Sequence, residues 1–235
     1  MTFPVLAAMA QDAAEVAVQA VLPVKEELSF SLIEMALKGG WIMIPLLILS
    51  ILTIYIFGER WWAIRKASQI DENFMRNIHD YIHEGKIKAA INLCQSQETP
   101  IARLIEKGIE RIGRPLNDIQ TAVENMGNVE VARLEKGLPM LATIAGGAPM
   151  IGFLGTVIGM IQAFYNMSQA GSNVDITLLS GGIYTAMVTT VAGLIVGIIA
   201  YFGYNYLVAR IDNIVYKMES NTIEFMDLLH EPAGK

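Results

Sequence analysis

Two stretches decide the fold: residues 147–164, GAPMIGFLGTVIGMIQAF, and residues 186–205, AMVTTVAGLIVGIIAYFGYN. Each lies inside a longer run without Asp, Glu, Lys, Arg or His, 38 residues between Lys136 and Asp175 and 34 between Asp175 and Arg210. A hydrocarbon core of ~30 Å needs about 20 apolar residues in a helix, so each run is one bilayer crossing with residues to spare. The segment joining them, SQAGSNVD, is a turn, because Gly171 and Asn173 tolerate left-handed backbone.

Working outward, Trp41 to Gly58, WIMIPLLILSILTIYIFG, is a third uncharged run, followed at once by Glu59, Arg60, Trp61, Trp62, Arg65 and Lys66. Trp rings at headgroup depth beside a basic cluster mark the edge of a crossing. A buried soluble helix explains 18 uncharged residues less well. The composition agrees: of 235 residues, 53% are hydrophobic and only 17% charged, too apolar for an ordinary soluble domain. A net charge of −6 without any basic stripe excludes a nucleic-acid footprint. The single cysteine, Cys94, makes no intrachain disulfide and suits a reducing compartment.

Lys and Arg number two in 1–40, twelve in 59–138, none in 168–176 and three in 207–235. By the positive-inside rule, 59–138 and the tail are cytoplasmic and the chain starts outside. The chain therefore divides into a periplasmic extension (1–40) with a short amphipathic helix (SFSLIEMALKGG), transmembrane helices over 41–58, 139–167 and 177–206, a cytoplasmic helical domain (59–138), a periplasmic turn (168–176) and a cytoplasmic C-terminal helix (207–235). The extension lacks the basic start of a secretory signal, its first basic residue being Lys25, although Ala8-Met9-Ala10 has the character of a cleavage site.

In the cytoplasmic domain, Ile70, Phe74, Ile78 and Ile82, and then Ile101, Ile105, Ile109 with Leu104 and Ile112, form one-sided apolar stripes. Thr99-Pro100 and Asn117-Asp118 are helix starts. The expected result is a helical bundle whose last helix, from about Ile119, runs unbroken into the second span.

The three spans hold no Asp, Glu, Lys, Arg or His, the residues that usually mark ion paths through membranes. They hold instead rows of small and hydroxyl side chains at steps of three and four: Ala148, Gly152, Gly155, Thr156, Gly159 and Ala163, then Ala186, Thr189, Thr190, Gly193, Gly197 and Ala200. Such rows let helix backbones approach closely. They also suit the lining of a pore, since a hydroxyl both donates and accepts. Both readings fit, and a third leaves each Thr bonded to its own i−4 carbonyl without further role. Pro149 after Gly146-Gly147 favours a kink.

His79 and His83, four apart beside Asp80 and Glu84, fit a polar helix face better than a metal site, because no second ligand set appears. Cys94, after Ile91 and Leu93, reads as a small buried hydrophobe. Neither a nucleophile–base pair nor a phosphate-binding loop outside the membrane is discernible, so neither an enzyme nor any cofactor is indicated.

The paired stretches 147–164 and 186–205, with GGWIMIPLLILSILTIYIFGERW in front, resemble the ExbB/TolQ/MotA family of proton-channel subunits over roughly residues 35–230, with the three-span layout of ExbB and TolQ. The resemblance implies an all-α membrane protein in the bacterial inner membrane. It implies a homopentamer around a channel that holds the single helices of an ExbD/TolR-like partner, whose membrane Asp carries the proton. Proton flow would then energise a TonB-like protein and, through it, outer-membrane transport. By the same resemblance Thr156 and Thr190 are the pore-facing threonines, with Thr189 and Thr185 also lining the path, while Ala148, Gly152, Gly155, Gly159, Gly193 and Gly197 pack the helices. Thr185 stands where many relatives have a Glu, and Ile199 replaces a proline common near the end of the third span. A MotA-type stator would have four spans. A TolQ-like role in a Tol–Pal system and a structural scaffold without proton flux are the alternatives.

Overall fold

The computed structural model describes residues 39–69, 71, 73–169 and 176–230. The N-terminal extension, with its expected amphipathic helix and the Ala8-Met9-Ala10 motif, lies outside these residues, as do Ile70 and most of the expected periplasmic turn. The described residues contain seven helices and no strand. These are α1 (Met43–Ala67), α2 (Phe74–His83), α3 (Ile87–Ser96), α4 (Pro100–Ile109), α5 (Leu116–Glu135), α6 (Leu138–Gln169) and α7 (Ile176–His230).

Three helical stretches, Met43–Ala67, Leu116–Gln169 and Leu179–His230, are long and apolar enough to cross a membrane. Their uncharged parts lie in α1, α6 and α7, and the all-α membrane reading of the sequence holds. The outward faces are apolar: Met150, Phe153 and Ile161 on α6, Met187 and Phe202 on α7, and Ile44 and Ile54 on α1 are all more than 60% exposed. In water such faces would be costly; in lipid they are the solvated surface.

α6 and α7 form the principal interface of the spanning region, and α1 leans on both. Leu46 of α1 is buried in a small cluster with Ile144 and Ala148 of α6 and Val196 and Ala200 of α7. Gly203 leaves room for Phe57, since a Cβ there would lie 3.0 Å from the ring.

Beyond the uncharged runs the same helices continue into a polar-surfaced bundle. α7 is one uninterrupted helix of 55 residues, about 80 Å long at 1.5 Å per residue. That far exceeds a ~30 Å hydrocarbon core, so its second half stands clear of the membrane. There it buries Leu207, Ile211, Ile214, Met218 and Phe225, at steps of three, four and seven, against Ile64 of α1, Phe74 and Ile78 of α2, Cys94 of α3, Ile101 and Ile105 of α4 and Val123 of α5.

Helix starts follow local chemistry. Thr99 caps α4, its Oγ1 accepting from the Ala102 N–H at 3.3 Å, with Pro100 at the first helical position. α5 begins at Leu116 after Pro115, one residue before the expected Asn117-Asp118, and Asp118 sits in its first turn, where a negative charge meets the helix dipole. Ile112, expected on the buried stripe of α4, lies past its end and is exposed.

The expected unbroken helix from Ile119 into the second span is corrected. α5 ends at Glu135 and α6 starts at Leu138. Between them Lys136 has extended ψ (126°) and Gly137 a φ of +87°, a left-handed conformation that glycine reaches without a Cβ clash. Ile56 and Arg60 of α1 close over this break, 3.6 and 3.8 Å from where a Gly137 Cβ would sit.

Candidate functional site

The small-residue rows of α6 and α7 face each other. A Cβ added to Gly152 would lie 2.9 Å from the Thr189 carbonyl oxygen and 3.1 Å from the Gly193 Cα. One added to Gly159 would lie 2.9 Å from the Ala186 Cβ, and one added to Gly193 would lie 2.6 Å from the Ala148 carbonyl oxygen. Gly197 accommodates the Pro149 ring, whose Cγ would be 2.5 Å from a Cβ. α6 continues through Pro149 as a single helix. Ala148, Gly152, Gly155, Gly159, Gly193 and Gly197 thus sit where two backbones approach too closely for larger side chains.

This approach brings Thr156 and Thr190 together. Their hydroxyls are hydrogen-bonded to each other across the interface. Thr190 Oγ1 also donates to the Gly152 carbonyl of the opposite helix at 3.2 Å. Thr156 Oγ1 lies 3.4 Å from two carbonyls, Gly152 on its own helix and Ala186 on the other. Both side chains are half-buried. Self-capping is ruled out as a full description: Thr53 of α1 does simply bond its own i−4 carbonyl, Leu49, at 2.8 Å, whereas the Thr156–Thr190 bonds cross between helices.

Thr189 and Thr185 are placed differently. Thr189 is 1% exposed and donates to the Ala186 carbonyl at 2.8 Å, with its Cβ 2.6 Å from the Cβ position of Gly155. Within the single chain this side chain is enclosed by the α6–α7 contact. Thr185 is half-buried, one turn before the pair, 4.0 Å from the Cβ position of Gly40.

Outside the membrane, Cys94 is 1% exposed and burial pushes its thiol up to about 12, so it packs rather than reacts. The His79 and His83 rings lie 4.3 Å apart, tilted by 49°, and His79 Nδ1 lies 3.5 Å from Asp80. Among the described residues no group of three His, Cys, Asp or Glu is placed to hold a metal.

One buried charge lies outside the sequence-based expectations. Glu130 of α5 is 1% exposed and accepts from Arg103 of α4 and Arg133 of α5, both at 2.6 Å. Its position carries a signal, since it lies seven residues after Val123 and four before Leu134 on the buried stripe of α5. A carboxylate on such a stripe requires a partner cation.

The threonine pair, in spans without a carboxylate, lies within a recognisable sequence family. Residues 96–220 match the MotA/TolQ/ExbB proton channel family. The chain belongs to this family. It is 32% identical over 180 residues to an ExbB-like biopolymer transport protein of Synechocystis sp., covering 76% of this chain and 71% of that protein. It is 26% identical over 180 residues to the biopolymer transport protein ExbB of Neisseria meningitidis, covering 71% and 80% respectively. It is 36% identical over 106 residues to the Tol-Pal system protein TolQ of Haemophilus influenzae, covering 45% of this chain and 46% of that protein. The chain is thus a multi-pass membrane protein of a proton-channel family of the ExbB/TolQ type.

Proposed function

We propose that the chain is the channel-forming subunit of a bacterial inner-membrane motor that draws on the proton motive force to energise TonB-dependent outer-membrane transport. It assembles as a homopentamer around the single helices of an ExbD/TolR-like partner, with its own start outside and its tail in the cytoplasm. The observation that carries this reading is the Thr156–Thr190 bridge, a pair of hydroxyls joined across the helix interface in spans that hold no Asp, Glu, Lys, Arg or His. A proton path needs a group that changes protonation state, and these spans supply only groups that relay. The titratable carboxylate therefore comes from the partner, and the threonines position water or the carboxylate beside it.

The partner side of the motor has a second reading. The similarity to TolQ over 106 residues supports a Tol–Pal role as the second reading, because the periplasmic partner distinguishes the two systems. A four-span stator is disfavoured by the three spanning helices of the described residues.

The test is Thr156→Val and Thr190→Val, each co-reconstituted with the ExbD/TolR-like partner in proteoliposomes carrying a pH-sensitive dye. Valine keeps the shape and removes the hydroxyl. The expected outcome is an intact complex by native mass spectrometry with proton flux at least tenfold lower, about 1.4 kcal/mol in the barrier. Undiminished flux in both variants would sink the pathway, and a scaffold would show no flux even in the wild type.

A further inference from the structure

A basic cavity at one end of the spanning region is used neither by the helix interface nor by the threonine pair. It encloses about 560 Å³ between α1 and α7, and its wall includes Trp61, Arg65, Tyr206, Arg210, Asn213 and Lys217. Among the described residues no carboxylate lines it.

Each helix brings the same device, an aromatic ring followed four positions later by an arginine. The Arg65 guanidinium carbon lies 5.3 Å from the centroid of Trp61, and that of Arg210 lies 5.3 Å from the centroid of Tyr206. Arg210 also donates through Nε and Nη2 to the Tyr206 hydroxyl at 3.3 and 3.2 Å. The rings hold both guanidiniums in place at little further entropic cost and leave most of their N–H donors free. Among the described residues neither arginine forms an ion pair with a carboxylate. Lys217 adds a third cation, shared with a neighbouring cavity that Asp71 and Glu224 also line.

The depth of this cavity points to its occupant. Trp61 follows the uncharged run of α1 by three residues, and Tyr206 lies three residues before the end of the uncharged run of α7. Aromatic rings there lie at the level of lipid headgroups. On the same two helices, Tyr55, Trp62 and Phe202 are exposed apolar surface. We propose that this cavity seats the phosphate of an anionic phospholipid headgroup, with Arg65 and Arg210 as its charged donors and the exposed rings of α1 and α7 beside the acyl chains. Free phosphate would satisfy the same arginines, but it would make no use of the apolar surface on these helices.

The experiment places the full chain in nanodiscs of phosphatidylglycerol and phosphatidylcholine and measures retained lipids by native mass spectrometry. Wild type is expected to retain phosphatidylglycerol preferentially. Arg65→Gln and Arg210→Gln should each reduce that preference about fivefold, while Arg114→Gln, an exposed arginine in the turn between α4 and α5, leaves it unchanged. A wild type without preference, or arginine variants that keep it, overturns the proposal. In a parallel arm, inorganic phosphate is added to lipid-free protein in detergent. If phosphate raises the melting temperature and phosphatidylglycerol shows no preference, the lipid assignment is overturned in favour of a free anion.

Discussion

Gly193→Ala adds a single methyl group where α6 and α7 bring backbone against backbone most closely. The new Cβ would lie 2.6 Å from the Ala148 carbonyl oxygen, 2.9 Å from the Gly152 Cα and 3.1 Å from the Gly152 nitrogen. All three are backbone atoms, so no side chain can rotate away, and restoring ordinary contact requires the helices to part by about 1 Å. A gap of that size forfeits a quarter to a half of the dispersion energy along the row, and overpacking of this kind costs about 1–3 kcal/mol. Alanine's better helix propensity returns at most about 1 kcal/mol. Taking the middle of the overpacking range, the net loss is about 1 kcal/mol, or roughly 2–4 °C in melting temperature for a chain of this size. Circular dichroism on heating in mild detergent measures it. Gly146→Ala in the same spanning region is the control: nothing lies within 4 Å of its Cβ position, so only the propensity term acts and stability should hold or rise slightly. If Gly193→Ala melts at or above wild type and matches Gly146→Ala, the close packing of α6 on α7 is wrong.

Two further outcomes follow from the bundle outside the membrane. Glu130→Ala removes the carboxylate that Arg103 and Arg133 share at 2.6 Å. It should destabilise by about 2–3 kcal/mol, less than a fully buried pair because the Arg133 side chain keeps 61% of its exposure. The pair Arg103→Met with Glu130→Leu should recover most of that loss, and a melting temperature within 1–2 °C of wild type for Glu130→Ala alone, roughly 0.5 kcal/mol, would show that the ion cluster contributes nothing. Cys94 is the only thiol, and it is buried with its thiol pushed up to about 12. In the unfolded chain it ionises near the usual ~8.5, so its contribution to stability is intact below that pH and is lost as pH climbs toward 12. The melting temperature of wild type should therefore fall more steeply than that of Cys94→Ala between pH 8 and 10; parallel curves would refute the burial argument.

The three crossings are legible in the sequence because a charge-free run longer than the bilayer is thick fits lipid far better than it fits a water-soluble core, and the bundle stripes through Ile78, Ile101 and Ile105 are legible from periodicity. The break at Lys136–Gly137 is masked, although its signal is present in Lys-Gly-Leu-Pro. The apolar series Leu134, Leu138, Leu141 continues the helical period across the break and conceals a glycine followed two residues later by proline. The continuity of α7 past residue 206 is carried by Leu207, Ile211, Ile214 and Met218, which keep a helical period after the charges return. Glu130 is hard to see because a charged residue on an apolar stripe usually marks the edge of the stripe. Thr189 and Thr190 are adjacent in sequence, so no composition argument separates them. Only the register between two helices puts Thr189 against Gly155 and Thr190 against Thr156.

The threonine pair has a property that a carboxylate in its place would lack. Each hydroxyl has one proton to donate, yet the pair has several acceptors in reach: each other's oxygen, the Gly152 carbonyl for both, and the Ala186 carbonyl for Thr156. Two protons cannot satisfy all of these at once, so rotating the hydroxyls exchanges one bonding pattern for another without moving the backbone. The small residues around the pair make this arrangement possible, because only a close approach brings the Gly152 carbonyl within reach of Thr190. A buried carboxylate would carry a desolvation cost of several kcal/mol whenever it was unpaired. The hydroxyl pair stays neutral and satisfied in the isolated chain, and it can re-aim its donors when a charged or hydrated partner arrives beside it. In the proposed proton path, glycine packing and the hydroxyl pair act as one device, and substitutions that widen the helix interface should lower proton flux even when both threonines remain.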